Sequence, residues 1–246
     1  MYGFVVPVYN HGAALEGVIK NLVQYNLPII VVDDGNDEGN KKFINDVAAR
    51  YPLVKLVVRA KNGGKGKAMK DGVLKAQELG ITHILQIDSD GQHDAGKIPA
   101  FMELSKENPK AIICGYPEYD ESAPKHRVKG RKIANAWIHL VSFTTEKEVR
   151  DALIGFRIYP VEPYCRVIKR HAIIDSRMGY DIDILVHLIW MGIPVISEGV
   201  KVCYPSDGVS NFRAVRDNIR ISFTYARLCI GMILRLPLLI GRKIHR

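Results

Sequence analysis

The chain has 246 residues, with 35 Lys and Arg against 26 Asp and Glu, a formal charge of +9. Its 47% hydrophobic and 25% charged content excludes a disordered chain, because there is enough apolar surface to offset the ordering entropy. Four separated cysteines (Cys114, Cys165, Cys203, Cys229) without a C-x-x-C pair exclude a disulfide scaffold and a cysteine zinc site. Along the first half, Gly3–Val8, Ile29–Asp33, Val54–Val58, Ile81–Asp88 and Ala111–Gly115 read as strands. They are β-branched and nearly continuous, as strands buried on both faces should be. Between them, Ala13–Tyr25, Glu38–Arg50, Lys65–Leu79 and Ala95–Lys106 have helical spacing; the first puts Leu15, Val18, Ile19, Leu22 and Val23 on one face.

After Gly115 the pattern loosens. Tyr116–Gly130 is polar and reads as a long loop, followed by a helix from Arg131 to Phe143 and a strand at Ile154–Tyr159. Asp181–Met191 reads as a helix, Val195–Val202 as extended chain and Tyr204–Gly208 as a turn. From Asn211 onward one long helix is predicted, with Arg213, Arg216, Arg220 and Arg227 among Val215, Ile219, Phe223 and Ile230. Its last stretch, Leu228–Ile240, is apolar but interrupted by Arg235 and Pro237 and closed by Arg242, Lys243 and Arg246. The central Arg and Pro argue against a spanning helix, while basic residues flanking an apolar face suit a helix lying in the bilayer interface. Covering the core or a second copy of the chain is the other use of such a helix.

The alternation of strand and helix predicts an α/β fold: a doubly wound, mostly parallel, Rossmann-like sheet with helices on both faces. Ligands in such sheets sit beyond the C-terminal strand ends. Those ends carry Tyr9-Asn10, Asp33-Asp34-Gly35 and Asp88-Ser89-Asp90, which fall on one rim.

Asp88-Ser89-Asp90 is the most informative of the three. Two carboxylates turned toward one point repel unless a cation lies between them, and hard oxygen ligands suit Mg²⁺ or Mn²⁺ completed by substrate phosphates. Gln92 offers a neutral oxygen and His93 an imidazole beside them; a hydrogen-bonded structural histidine is the alternative for His93. At the second strand end, Asp33 or Asp34 would accept hydrogen bonds from a base or ribose, and an Asx turn is the competing use. The Asn62-Gly63-Gly64-Lys65-Gly66-Lys67 run precedes a helix, where glycine amides and Lys65 would attract phosphate, although it lacks Walker A spacing.

Taken in order, Pro7-Val-Tyr9-Asn10, Val31-Val-Asp33-Asp34-Gly35, Asn62–Ala68 with Gly72, and Asp88-Ser-Asp90-Gly-Gln92-His93 resemble the inverting family 2 glycosyltransferases of the GT-A fold. The likeness is greatest to the branch of dolichyl-phosphate mannose synthases and polyprenyl-phosphate glycosyltransferases. It is strong over residues 3–115 and continues more weakly through Arg127-x-x-x-Arg131-x-x-x-Asn135 and Asp151-x-x-x-Gly155-Phe156-Arg157.

That resemblance implies a glycosyltransferase domain over residues 1–212 and a basic helical tail over 213–246, the latter meeting an anionic membrane surface. It implies that Pro7, Tyr9, Asn10 and Asp33 or Asp34 hold the base and ribose of a UDP- or GDP-sugar. Lys65 and Asp88 would lie by the donor, with Asp88, Asp90 and Gln92 holding Mg²⁺ or Mn²⁺ on the diphosphate. Arg127, Arg131 and Lys125 suit an anionic acceptor such as a lipid phosphate, and Ser210 a phosphate contact. A hydroxyl acceptor would need a general base, for which Asp151, Asp181 and Asp183 are the candidates; a helix N-terminal charge is the other reading of Asp181.

Two features depart from the lipid-phosphate branch: the tail lacks paired hydrophobic spans, and Tyr204–Phe212 is longer than a basic-Gly-Ser turn. Two other functions compete. A nucleotidyltransferase shares this kind of metal–nucleotide site but would carry its Gly-rich, Lys-containing loop near the first strand. A nucleic-acid-binding module would explain the charge, yet the basic residues cluster in the tail and the Tyr116–Arg131 loop instead of forming an aromatic-lined stripe. No nucleic-acid partner is expected. Met1–Val8 shows no basic n-region or cleavage site, so the expected location is cytoplasmic, peripheral at the inner face of the cell membrane, with a homodimer as an option.

Overall fold

The computed structural model describes residues 1–118, 125–143, 149–170, 173–201 and 214–244. Seven strands form one sheet: β1 (Tyr2–Val8), β2 (Ile29–Asp33), β3 (Val54–Val58), β4 (His83–Gln86), β5 (Ile112–Glu118), β6 (Arg157–Pro160) and β7 (Val195–Lys201). Their order is β3-β2-β1-β4-β6-β5-β7, and only β6 runs antiparallel to its neighbours. The chain builds outward from β1 to β2 and β3, then crosses back to place β4 on the other side of β1. The strand order therefore reverses between β1 and β4, which opens a crevice beyond their C-terminal ends.

Eight helices accompany the sheet among the described residues: α1 (Gly12–Val23), α2 (Glu38–Arg50), α3 (Lys65–Glu78), α4 (Ile98–Glu107), α5 (Lys125–Val141), α6 (Val161–Arg170), α7 (Tyr180–Trp190) and α8 (Ala214–Ile244). Strand alternation divides the core. Phe4, Val6, Val8, Ile29 and Val31 pack under α1, α2 and α4, while Val5, Ile30 and Val32 pack with α3 and with α5 to α8 on the opposite face. Burial on both faces accounts for the unbroken apolar runs of β1 and β2. At the edge, β3 exposes Lys55 and Val58, and the Lys55 charge blunts it against pairing with another chain.

The predicted elements of the first half are present, with shifted ends. The strand predicted to reach Asp88 stops at Gln86, so that Ile87–Asp90 turns out of the sheet, and β5 runs on to Glu118. Helix α5 begins at Lys125, inside the predicted loop, and α6 is an additional helix, burying Val161, Tyr164, Cys165 and Ile168 and exposing Glu162, Arg166, Lys169 and Arg170. Tyr204–Phe212, Arg213 and Ser210 lie outside the described residues, as do the side chains of Lys125 and Arg127.

The C-terminal helix is more than an appendage. Tyr225, Leu228 and Leu239 of α8 join the core on the α7 face. Thr224 Oγ1 donates to Asp175 (2.9 Å), Tyr225 Oη to the Ala134 carbonyl (2.9 Å), Arg227 to the Ile173 carbonyl (2.9 Å), and Arg242 to the Trp190 carbonyl. Arg235 stacks over the Trp190 ring at 5.2 Å. The segment Val215–Arg242 is long and apolar enough to cross a membrane by length and composition. These attachments run from Thr224 to Arg242 and hold one side of the helix against the body, while 28% of the apolar window is buried.

Candidate active site at the ends of β1, β2 and β4

The site follows from where the parallel strands stop. Beyond β1, Tyr9 is exposed at the rim and Asn10 adopts φ 61°, its amide donating to Asn36 Oδ1 (2.8 Å). Asn36 joins two strand ends: its side-chain amide donates to the Val8 carbonyl (2.9 Å) and to Asp33 Oδ1 (2.6 Å), which also accepts the Asn36 backbone amide (2.9 Å). Asp33 thus forms the Asx turn, but the cap of α2 is Asp37, which accepts from the Asn40 amide (2.8 Å).

Asp34 fastens the Gly-rich run. Its carboxylate accepts from the amides of Gly63 (2.9 Å) and Gly64 (2.8 Å) and from the Asn62 side chain (3.0 Å), and pairs with Arg59 (2.9 Å). The Gly66 amide donates to the Ser176 carbonyl (2.9 Å). These amides already have protein acceptors, so the predicted phosphate cradle is a docking joint between β2, α3 and the 175–179 segment. Gly64 needs its freedom here: φ is +87°, and a Cβ would strike the Ser176 carbonyl and Arg177.

What the run delivers to the rim is Lys65. Its ammonium lies 2.8 Å from Asp88 Oδ1 and 2.8 Å from Asp181 Oδ2, bridging β4's end to the start of α7. Burial works against the charge, but the two carboxylates outweigh it and raise the Lys65 pKa. Asp88 Oδ2 faces His93 Nε2 at 3.4 Å. Burial pushes the Asp88 pKa up, yet the Lys65 charge and the His93 contact hold it well below the usual carboxylate range. His93 packs against Phe156 with ring centroids 5.6 Å apart. Gly155 closes over this cluster: a Cβ there would sit 2.6 Å from both Asp88 Oδ2 and Lys65 Nζ.

Asp90 is the less engaged acid. Its Oδ1 accepts the Gln92 amide (3.0 Å), and it lines a cavity of about 320 Å³ with Asp88, His93 and the Ala14, Gly17 and Val18 face of α1. Among the described residues, no group of three or more His, Cys, Asp or Glu side chains that could hold a metal occurs. A divalent ion here would depend on diphosphate oxygens to complete its coordination. The donor set fits that arrangement: two hard carboxylates at a polar cavity mouth, Asp90 with only one oxygen engaged.

The three candidate bases have other partners. Asp151 is buried, with Oδ2 on Arg131 (2.6 Å) and Oδ1 accepting the amides of Leu153 (2.8 Å) and Ile154 (2.7 Å). Asp181 holds Lys65 and accepts from Gln86 Nε2 (2.8 Å). Asp183, two residues on and therefore on another side of α7, pairs with Arg227 of α8 and with His187 (3.2 Å) and accepts the Asp175 amide (2.6 Å). The structure thus brings Asp88, Asp90, Lys65 and Asp181 together and directs Asp183 to α8.

Gln86 was missed in the sequence. A fully buried Gln in an otherwise apolar strand was the available signal, since a buried amide must find partners. Asp175, tied to both α7 and α8, carried no signal in its exposed-looking surroundings.

A reversed strand order with acids at the ends of β2 and β4 is a doubly wound architecture of the GT-A kind. Solved structures agree with that architecture. Mannosyl-3-phosphoglycerate synthase from Rubrobacter xylanophilus superposes with a TM-score of 0.67 at 17% identity, over 96% of this chain and 74% of that one. The mannosyltransferase PcManGT from Pyrobaculum calidifontis, in complex with GDP-Man and Mn²⁺, gives 0.58 at 14% identity, over 98% and 73%. The family model Glycosyl transferase family 2 matches residues 4–175, and the chain belongs to that family. A dolichyl-phosphate beta-glucosyltransferase of Dictyostelium discoideum is 24% identical over 246 aligned residues, covering 90% of this chain and 73% of the relative. Among the relatives it matches, the chain spans from 51% to 90% of their length.

Proposed function

We propose that the protein transfers a sugar, with inversion, from a UDP- or GDP-sugar to the phosphate of a polyprenyl-phosphate-like lipid at a membrane surface. The observation that carries this reading is the Lys65–Asp88 ion pair at the end of β4, with Asp88 and Asp90 lining the adjoining cavity. Pro7, Tyr9, Asn10, Asp33 and Asp34 line the ends of β1 and β2, where base and ribose would lie. Lys65 has three N–H donors, of which Asp88 and Asp181 take two, leaving one for a diphosphate oxygen. Mg²⁺ or Mn²⁺ would be held by Asp90, with Asp88 and Gln92 beside it, and would supply charge neutralisation of the leaving diphosphate. The Pyrobaculum neighbour, solved with GDP-Man and Mn²⁺, supports that choice.

On the acceptor side, Asp151 fixes the Arg131 guanidinium, and Arg127 lies one turn earlier on α5. Such an Arg pair suits a phosphate. A phosphate is already ionised at neutral pH and needs no general base, which accords with Asp151, Asp181 and Asp183 each being engaged elsewhere. The relatives named dolichyl-phosphate beta-glucosyltransferase support a lipid phosphate. The test is incubation with UDP-glucose or GDP-mannose, Mn²⁺ and a short polyprenyl phosphate. The expected products are a free nucleoside diphosphate and a glycolipid of opposite anomeric configuration; release of pyrophosphate would instead indicate nucleotidyl transfer and sink the proposal.

Gly155→Ala should lower this transfer by about 100-fold, since a 1 Å misplacement of reacting groups has that scale of effect. The three atoms nearest the new methyl are the carboxylate oxygens of Asp88 and the Lys65 ammonium, the tips of the site's own side chains. Steady-state rates alongside a thermal melt check this; unchanged turnover would place the donor elsewhere.

Helix α8 supports the membrane location. Val215, Ile219, Phe223, Ile230, Ile233 and Leu234 are exposed along its outer side, opposite the core-facing Thr224, Leu228 and Leu239, with Arg216 and Arg220 beside them. That pattern suits a helix lying in an anionic interface. Phe223→Asp should weaken co-sedimentation with phosphatidylserine-containing vesicles by about tenfold or more, given the burial energy of one large apolar side chain. Equal binding, or loss of a dimer in light scattering, would assign the face to a second copy of the chain.

A further inference from the structure

Asp181 stands at the start of α7, where a base for a hydroxyl acceptor was a candidate, yet its surroundings are those of a support. Its Oδ2 is 2.8 Å from Lys65 Nζ, and its Oδ1 accepts from Gln86 Nε2 at 2.8 Å. Its own carbonyl accepts from Arg157 Nη1 at 2.7 Å. Gln86 and Arg157 are fully buried and face each other across the antiparallel β4–β6 pair, so both are fixed by the sheet itself. The carboxylate is therefore held by Gln86 of β4 and the backbone of the same residue by Arg157 of β6, and what the carboxylate holds at the rim is the Lys65 ammonium.

A long lysine side chain has much rotamer freedom to lose, so a single ion pair with Asp88 would hold it loosely. A second carboxylate, itself immobilised, removes most of that freedom before any ligand arrives. Resting on the donor-binding reading above, we infer that Asp181 is a positioning residue: together with Gln86 it locks Lys65 against Asp88, so that a nucleoside diphosphate meets one preset cation at the end of β4. The acceptor's proton plays no part in its role.

The two roles separate in a binding experiment that needs no acceptor. Calorimetric titration of UDP and of GDP, each with Mn²⁺, is compared for the wild type, Asp181→Asn, Lys65→Met and the double variant. Asp181→Asn should weaken the bound nucleotide about tenfold, and the double variant should bind no more weakly than Lys65→Met alone, because neighbours acting through one contact are not additive. Undiminished nucleotide binding by Asp181→Asn, with only turnover lost, is the behaviour of a general base and overturns the inference. So does a further tenfold loss in the Lys65→Met background.

If Asp181→Asn fails to fold by circular dichroism, Gln86→Met gives the same reading without touching charge: nucleotide binding should fall severalfold, and equal binding refutes the lock. Should the wild type bind neither UDP nor GDP, the donor reading itself fails. If the wild type binds and the variants bind equally, only the positioning role falls.

Discussion

Asp90→Asn is expected to lower sugar transfer by about 1,000-fold while leaving the melting temperature of the protein unchanged. The size follows from removing a preorganised charge aimed at the leaving group, an effect of two to three orders of magnitude in well-studied sites. The lack of a folding penalty follows from the geometry. Among the described residues Asp90 has no ion pair, and its Oδ1 accepts the Gln92 amide, a bond that the Asn amide oxygen reproduces. Asp88→Asn would be a poorer probe, since it leaves the Lys65 ammonium with one carboxylate less. The check is the rate of nucleoside diphosphate release over a Mn²⁺ titration, beside a thermal melt. A folded variant that keeps its full rate would remove the metal from the proposal.

Asp183→Ala should have the largest effect on stability, about 3 kcal/mol, a melting temperature lower by about 10 °C. Asp183 is fully buried and is the common partner of Arg227, His187 and the Asp175 amide. Deleting it takes the carboxylate from Arg227, His187 and the Asp175 amide, although Arg227 keeps the Ile173 carbonyl and His187 Nδ1 the backbone carbonyl of residue 183, and it removes an ion pair that ties α7 to α8. The same residue sets an acid limit. Burial pushes its pKa up, but the bonds from His187 and Arg227 prevail and hold it below the usual carboxylate value. A carboxylate depressed in the folded state adds stability that is complete above its unfolded pKa of about 4 and is withdrawn as pH falls through the folded value. Melting temperatures of the wild type should therefore drop below pH 4 more steeply than those of Asp183→Ala. Parallel curves would show that other acids govern the transition.

Parts of this protein are legible because they depend on neighbours close in the chain. The apolar runs of β1 and β2, the 3.6-residue stripes of α1 to α4 and the acids where strands end each arise from local spacing. Helix α6 carries the same kind of stripe, with Val161, Tyr164, Cys165 and Ile168 on its buried side and α3 and α7 packed beside it. By contrast, α5 begins among residues of polar, loop-like character because its later turns, Ala134 to Val141, are anchored in the core.

Order and spacing along the chain determined the class of this protein: a parallel sheet whose strand ends carry Asp33-Asp34 and Asp88-Ser89-Asp90, in the pattern of family 2 glycosyltransferases. Only the tertiary structure decided which partner each acid has. Asp34 pins the glycine run, Asp151 holds Arg131, Asp181 locks Lys65 and Asp183 fastens α8, and none of these partnerships is local. A carboxylate's role depends on which charge lies within a few ångströms of it. Sequence spacing sets that distance along one helix or strand, but the packing of different elements sets it across the fold.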